Sequence, residues 1–133
     1  MLALLLALAH RSPRLFLLVL VADGAAEGLA DGLKAAVGEQ RPDVQRLMPL
    51  PHSHAFPSGH TTTSFACATI LGALVPRAAP AVFVLAAAIG YSRVYVGVHW
   101  PLDVVGGAAL GVLTALLLLA AARRRSGGRL RRG

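Results

Sequence analysis

The stretch that decides the fold runs from residue 101 to residue 122 and reads PLDVVGGAALGVLTALLLLAAA. Its only charged residue is Asp103, and a helix of this length crosses the roughly 30 Å hydrocarbon core of a bilayer. Pro101 stands at its start, where the missing amide hydrogen of a proline costs least. A cluster of arginines follows from residue 123 onward, which is typical of the cytoplasmic end of a membrane helix. The stretch therefore predicts a membrane-spanning helix.

The composition of the whole chain agrees with this prediction. Of the 133 residues, 56% are hydrophobic and 14% are charged, whereas about 25% of the residues of a soluble domain are charged. The net charge of +7 is concentrated in the C-terminal arginines, so it indicates a membrane anchor, and we expect no nucleic-acid partner. The single cysteine, Cys67, lies in an apolar stretch and excludes a disulfide framework within the chain.

Three more helices are predicted upstream. Two apolar segments run from about residue 58 to 75 and from about 79 to 96, and Pro76 and Pro80 bracket the turn between them. A more polar helix is predicted from about residue 15 to 40. With the stretch after Pro101, these segments predict about four spanning helices.

The ends of the chain are less regular. Residues 1–9 are apolar but too short to span a bilayer, and we interpret them as a short N-terminal helix that ends at the break around residues 10–14. The chain then either lacks an upstream helix or is a minimal version of its fold. We predict an all-α integral membrane helical bundle, with one membrane-embedded domain over residues 1–122 and a disordered basic cytoplasmic tail over residues 123–133.

The distribution of positive charge predicts the orientation. If the helices alternate in direction, the break at residues 10–14, the turn that holds Arg77 and the C-terminal arginines all lie on one side of the membrane. This side carries most of the arginine and is therefore expected to be cytoplasmic. The polar, proline-rich loop 41–57 and the stretch 91–100 then lie together on the extracytoplasmic face.

Several polar residues have two interpretations. Asp23, Glu27 and Asp31 are four residues apart and share one face of their helix. Carboxylates at membrane depth are costly, and we favour a role in packing or at a helix end over a role near a substrate path. His52 and His54 in the loop are interpreted as ordinary loop residues, with tuning of pH dependence or substrate contact as the alternative.

The first of three polar clusters on the extracytoplasmic face contains Lys34 and Arg41, followed by Pro42. Seven positions separate the two cations, which is about two helical turns, so both are expected to point the same way. Two cations at a membrane boundary fit an anionic group. The alternative is that both only extend their charges toward the interface, as many Lys and Arg residues at helix ends do.

The second cluster is Pro57-Ser58-Gly59-His60. Ser58 is a natural helix cap, Gly59 allows a ligand to approach the backbone closely, and amide hydrogens at a helix start attract anions. His60 is placed to donate a proton to a leaving oxygen. The alternative is an ordinary helix cap with a histidine at the interface.

The third cluster contains Ser92 and Arg93, followed by His99 and Asp103. A carboxylate four residues after a histidine can hold the Nδ1–H of the ring, which leaves Nε2 free to act as a nucleophile. The planar guanidinium of Arg93 suits the oxygens of a phosphate. The alternative is a His–Asp pair that only stabilises the start of a helix.

Together the clusters read Lys34-x6-Arg41-Pro42, Pro57-Ser58-Gly59-His60 and Ser92-Arg93-x5-His99-x3-Asp103. This pattern resembles the three-part signature of the type 2 phosphatidic acid phosphatase superfamily, which is related to the vanadium haloperoxidases. The resemblance covers residues 34 to 103, about half of the chain. It implies a helical core with the site at the membrane surface, although membrane members commonly have six spanning helices.

The resemblance also implies roles for individual residues. His99 would attack phosphorus and form a phosphohistidine, Asp103 would orient and stabilise His99, and His60 would protonate the leaving group. The residues that would bind phosphate oxygens are Lys34, Arg41, Ser58, Gly59 and Arg93. The family needs no metal, and no cofactor is expected.

The expected function is that of a membrane lipid phosphate phosphatase, because a site at the lipid–water boundary favours a phosphate whose tail stays in the bilayer. Candidate substrates are polyprenyl diphosphate, a polyprenyl-phosphoryl sugar phosphate, phosphatidate and phosphatidylglycerol phosphate. A non-catalytic or truncated member of the family is the alternative, and a vanadate-dependent haloperoxidase is a remote one. The sequence does not determine the oligomeric state.

Overall fold

The computed structural model describes residues 12–45, 47–49 and 52–129 of the chain. These residues form four α-helices and a short 3-10 turn over Pro76–Ala78, so the prediction of an all-α fold is confirmed. The short helix predicted over residues 1–9 lies outside the described residues. The four helices are α1 (Pro13–Val37), α2 (Gly59–Leu74), α3 (Ala79–Tyr95) and α4 (Pro101–Arg129).

Helix α1 has sharply defined ends. It begins after Ser12, whose Oγ accepts a hydrogen bond from the amide of Leu15 at 3.3 Å. It ends where Gly38 adopts a left-handed conformation with φ of 68° and donates its N–H to the carbonyl of Lys34. The prediction that Lys34 and Arg41 share a helical face is therefore wrong, because Arg41 lies in the loop beyond this cap.

Helix α4 continues to Arg129, beyond the end predicted at Ala122. Arginine is a good helix former, so the helix can continue past the apolar residues. The described backbone is helical through residue 129, and the division into a membrane domain and a basic tail stays a prediction. Residues 130–133 lie outside the described part of the chain.

Helix α2 occupies the centre of the bundle and contacts the other three helices. Its contact with α4 is close because α4 presents glycines there. A Cβ on Gly107 would lie 2.7 Å from the carbonyl oxygen of Ser58, and a Cβ on Gly111 would collide with the carbonyl of Thr62. Small residues that let two backbones approach are typical of helix pairs in membranes. This contact places the start of α4 against the start of α2.

The loop between α1 and α2 is attached to the loop between α3 and α4. The indole Nε1 of Trp100 donates to the carbonyl of Gln40 at 3.2 Å, and the amide of Leu47 donates to the carbonyl of Val96 at 3.3 Å. The predicted juxtaposition of residues 41–57 and 91–100 is therefore present in the fold.

The surface of the bundle is apolar. Large hydrophobic side chains such as Val84, Leu102 and Leu117 are about 70% exposed, while small residues such as Ala26 and Ala115 fill the core. Among the described residues, two helical segments are long and apolar enough to cross a membrane, Pro76–Tyr95 and Pro101–Arg124. Helix α1 carries several charges and α2 has only 16 residues, so the count of four spans stays a prediction.

Candidate active site

A cavity of about 400 Å³ lies where α1 ends and where α2 and α4 begin. All of the predicted site residues except Ser58 and Asp103 line it. They come from three helices and two loops and are Lys34, Arg41, Gly59, His60, Arg93 and His99. The close α2–α4 contact explains how His60 and His99, which are far apart in sequence, reach the same cavity.

His99 is held by a buried carboxylate. Its Nδ1–H donates to Oδ2 of Asp103 at 3.1 Å, and the His99 and Asp103 side chains are 5% and 0% exposed. The same Oδ2 accepts the backbone N–H of Trp100 at 2.8 Å. Asp103 also lies in the first turn of α4, where the helix dipole favours a negative charge. The carboxylate therefore fixes the ring with Nε2 directed away from it.

Arg41 reaches His99 from the other side. Its Nη1 lies 3.3 Å from Nε2 of His99 and donates to the carbonyl of Val98 at 2.7 Å. The rest of the fork donates to the carbonyl and hydroxyl oxygens of Ser53, at 2.8 and 3.2 Å, and to the carbonyl of His54 at 3.2 Å. Because arginine only donates hydrogen bonds, Nε2 accepts one here. Arg41 and Asp103 thus select the same neutral tautomer of His99.

The environment also favours the neutral form of His99. Burial lowers the pKa of this imidazole from its ordinary value, Arg41 and Lys34 lower it further, and the hydrogen bond to Asp103 opposes them. Burial likewise lowers the pKa of Arg41, with the charge of Asp103 acting in the opposite direction. The lowered pKa favours the neutral ring, which is the state that a nucleophile needs.

Lys34 lies over the start of α2. Its side chain is 12% exposed, and its Nζ donates to Oδ1 of Asp31 at 2.7 Å. A Cβ on Gly59 would lie only 3.1 Å from Nζ, so a side chain at this position would crowd the ammonium group. The positive charge of Lys34 is thereby added to that of the helix start.

Arg93 and His60 complete the polar lining. Arg93 lies in the last turn of α3, and its Nε donates to the hydroxyl of Ser92 at 3.2 Å. His60 is the second residue of α2 and lines the cavity together with His99. Two imidazoles and three cations therefore surround one space, which is the arrangement that the enzyme hypothesis requires.

Ser58 is placed differently from the other predicted phosphate ligands. It occupies the cap position of α2 but makes no capping bond with its side chain, and its hydroxyl is fully buried and accepts a hydrogen bond from Thr61 at 3.0 Å. Its backbone N–H donates to the carbonyl of Asp103 at 3.0 Å. Ser58 therefore joins the starts of α2 and α4, and its contact with phosphate stays a prediction.

Some residues of the cavity were not predicted. Asp23 and Glu27 line it, which agrees with the alternative of a place near a substrate path; the choice between this role and a packing role stays a prediction. Ser53 also lines the cavity, where it holds Arg41. His52 and His54 are exposed, and neither side chain lines the cavity.

The family follows from a comparison with known proteins. Residues 14–126 match the family model of the PAP2 superfamily. The chain belongs to the PAP2 superfamily. The resemblance inferred from the three motifs is thereby confirmed.

Three PAP2 relatives illustrate the similarity. The chain is 40% identical over 98 residues to the lipid A 1-phosphatase of Rhizobium johnstonii, covering 67% of this chain and 40% of that protein. It is 42% identical over 66 residues to the undecaprenyl-diphosphatase of Sulfolobus acidocaldarius, covering 49% and 32% of the two chains. The crystal structure of a transmembrane PAP2 type phosphatidylglycerolphosphate phosphatase from Bacillus subtilis superposes with a TM-score of 0.66 and 32% identity, covering 82% and 59% of the two chains.

The chain spans less than two thirds of the length of each of these relatives. The transmembrane relative and the two apolar helices Pro76–Tyr95 and Pro101–Arg124 indicate that this PAP2 chain is a membrane protein. Within the described residues, no three His, Cys, Asp or Glu side chains gather to hold a metal ion.

Proposed function

We propose that this chain hydrolyses the phosphomonoester or diphosphate group of an amphiphilic lipid through a phosphohistidine intermediate on His99. The observation that carries the proposal is the convergence of His60, His99 and three cations on one cavity. Phosphoryl transfer requires in-line positioning and dense positive charge around the equatorial oxygens, and the three cations of this cavity supply the charge.

In the first half of the reaction, the lone pair on Nε2 of His99 forms a bond to phosphorus. The bond from phosphorus to the lipid oxygen breaks, its electron pair stays on that oxygen, and protonated His60 supplies the proton. Lys34, Arg41 and Arg93 stabilise the charge that spreads over the phosphoryl oxygens. Asp103, on the opposite side of the ring, stabilises the positive charge that His99 gains.

In the second half, a water molecule replaces the lipid. His60, now neutral, takes a proton from the water as the water oxygen attacks phosphorus on the phosphohistidine. The phosphorus–nitrogen bond breaks and its electron pair returns to His99. Inorganic phosphate leaves, and both histidines regain their starting protonation states.

The aromatic residues support a site at the membrane–water boundary. Tyr91, Tyr95 and Trp100 lie at the end of the bundle that holds the cavity, and they are 69%, 67% and 42% exposed. Aromatic side chains of this kind are enriched at the level of lipid head groups. A lipid substrate can keep its tail in the bilayer while its phosphate enters a cavity at this depth.

The substrate class and topology are part of the same proposal. The names of the relatives point to lipid A, undecaprenyl diphosphate and phosphatidylglycerolphosphate, which share a phosphate on a lipid anchor. We place this chain in the cell membrane with four spans, the cavity on the extracytoplasmic face and the arginines after residue 122 in the cytoplasm.

The test is a phosphate-release assay on the purified chain in detergent. The panel contains a polyprenyl diphosphate, a polyprenyl-phosphoryl sugar phosphate, phosphatidate and phosphatidylglycerol phosphate, each with and without EDTA. We expect release from at least one lipid, with the same rate in the chelator. Lack of release from every lipid would contradict the proposal; absence of vanadate binding would then indicate a non-catalytic member, and vanadate-dependent halide oxidation would indicate a haloperoxidase.

Replacing His60 with alanine separates its two roles. Loss of a general acid is expected to slow cleavage of a lipid alkoxide by roughly 10²–10⁴-fold, while cleavage of p-nitrophenyl phosphate, whose leaving group needs no proton, is slowed much less. Because the same residue activates water, p-nitrophenol should appear as a burst followed by slow turnover. His52→Ala, at an exposed loop histidine, is the matched control. A steady rate without a burst would argue against the assigned role.

A further inference from the structure

The side chain of Lys34 is flexible, and the three motifs contain no residue that orients its ammonium group. Its ammonium group is carried on four flexible methylenes, and fixing such a side chain costs considerable rotamer entropy. Arg41 and Arg93 are planar forks held by several acceptors or by a neighbouring hydroxyl. Something must likewise hold the ammonium of Lys34 over the start of α2.

The structure supplies one such partner. Oδ1 of Asp31 lies 2.7 Å from Nζ of Lys34, one helical turn earlier on α1. At this position the ammonium lies 3.1 Å from where a Cβ of Gly59 would be. A lysine ammonium has three donors, so the pair leaves two of them for the oxygens of a ligand in the cavity.

We propose that Asp31 is a positioning residue, which holds the Lys34 ammonium against Gly59 so that it meets the phosphate group of the substrate. This inference rests on the proposed function, since it assigns the phosphate as the ligand of Lys34. Asp31 does not line the cavity and acts only through Lys34.

The exposure of Asp31 and Lys34 explains why the Asp31 carboxylate can orient the ammonium group without repelling a bound phosphate strongly. The Asp31 side chain is 62% exposed and that of Lys34 is 12% exposed. Water and salt therefore screen the repulsion between Asp31 and a bound phosphate, while the direct 2.7 Å hydrogen bond still orients the ammonium. The Lys34 side chain therefore loses its rotamer entropy before the substrate binds, and not during binding.

The experiment is a double-mutant cycle on the folded, detergent-solubilised chain. Vanadate affinity is measured by calorimetry, and KM and kcat are measured with a lipid phosphate from the panel. Asp31→Asn should weaken vanadate binding and raise KM by about two- to five-fold, the range expected for an exposed ion pair, with a smaller change in kcat. Asp31→Glu should restore most of the affinity. In a Lys34→Met background, Asp31→Asn should have no further effect.

Glu39→Gln is the matched control, because it removes the same charge near the same end of α1 and its side chain does not line the cavity. Equal or tighter vanadate binding by Asp31→Asn would overturn the proposal, as would a full effect of this change in the Lys34→Met background. If Asp31→Asn does not fold, failure of Asp31→Glu to match the wild-type affinity would overturn it as well. Because vanadate affinity is read without turnover, an inactive wild-type chain would refute the proposed function and leave this test valid.

Discussion

Replacing His99 with alanine is expected to lower kcat for a lipid phosphate by roughly 10⁴–10⁶-fold, the range seen when a catalytic nucleophile is removed. Nε2 is the only His99 ring nitrogen left for attack, because Nδ1 is bonded to Asp103. Arg41, Lys34 and Arg93 would still surround the cavity in this variant. Binding of vanadate should therefore persist, although weakened, while turnover is lost.

The measurement pairs steady-state phosphate release with a search for the covalent intermediate. Brief incubation of the wild-type chain with a radiolabelled lipid phosphate, followed by denaturation in base, should leave label that acid removes, as expected for a phosphorus–nitrogen bond. His99→Ala should carry no label, whereas the control His52→Ala should be labelled like the wild type. Turnover or labelling of His99→Ala at wild-type levels would assign the nucleophile elsewhere.

Asp103→Asn is expected to cost almost as much, roughly 10⁴-fold in kcat, by analogy with the loss of the carboxylate in a serine protease triad. The asparagine keeps the size of Asp103, and its amide oxygen can take the place of Oδ2, which accepts both the N–H of Trp100 and the Nδ1–H of His99. Its NH₂ group then occupies the buried position of Oδ1. The variant loses the negative charge that stabilises the positive charge gained by His99 when Nε2 bonds to phosphorus.

The Asp103→Asn variant should show a slow chemical step while its binding of vanadate is preserved. Vanadate affinity should change far less than kcat. Asp103 is fully buried, so the melting temperature in detergent must be compared as well. A folded Asp103→Asn variant with near-normal turnover would show that the carboxylate only stabilises the start of α4.

Most helix bounds could be predicted from the sequence, because proline and glycine mark the helix ends. Helices α2 and α3 begin and end within one residue of the prediction, next to Ser58, Pro76 and Pro80. The end of α1 was missed because Gly38 is the cap, and nothing in the hydropathy pattern distinguishes it from the other glycines of α1. Helix α4 ran beyond its apolar part because arginine continues a helix that hydrophobicity alone would end.

The candidate site could be predicted only in part. The spacing between His99 and Asp103 predicted their contact, although the helix begins only at Pro101, so that His99 lies just before it. The partners of Arg41 could not be predicted, since most are backbone carbonyls brought close by the fold. The face shared by Asp23 and Glu27 was visible in the sequence, but periodicity does not tell which neighbour a helix face meets.

The contact between α2 and α4 has a consequence for the width of the reaction centre. Gly107 and Gly111 bring α4 close to the backbone at Ser58 and Thr62, while His60 lies at the start of α2 and His99 lies two residues before the start of α4. The packing of these two glycines thus affects how the proposed proton donor and the proposed nucleophile lie relative to each other. A methyl group added at Gly107 or Gly111 would force α2 and α4 apart and would thereby change the distance between His60 and His99.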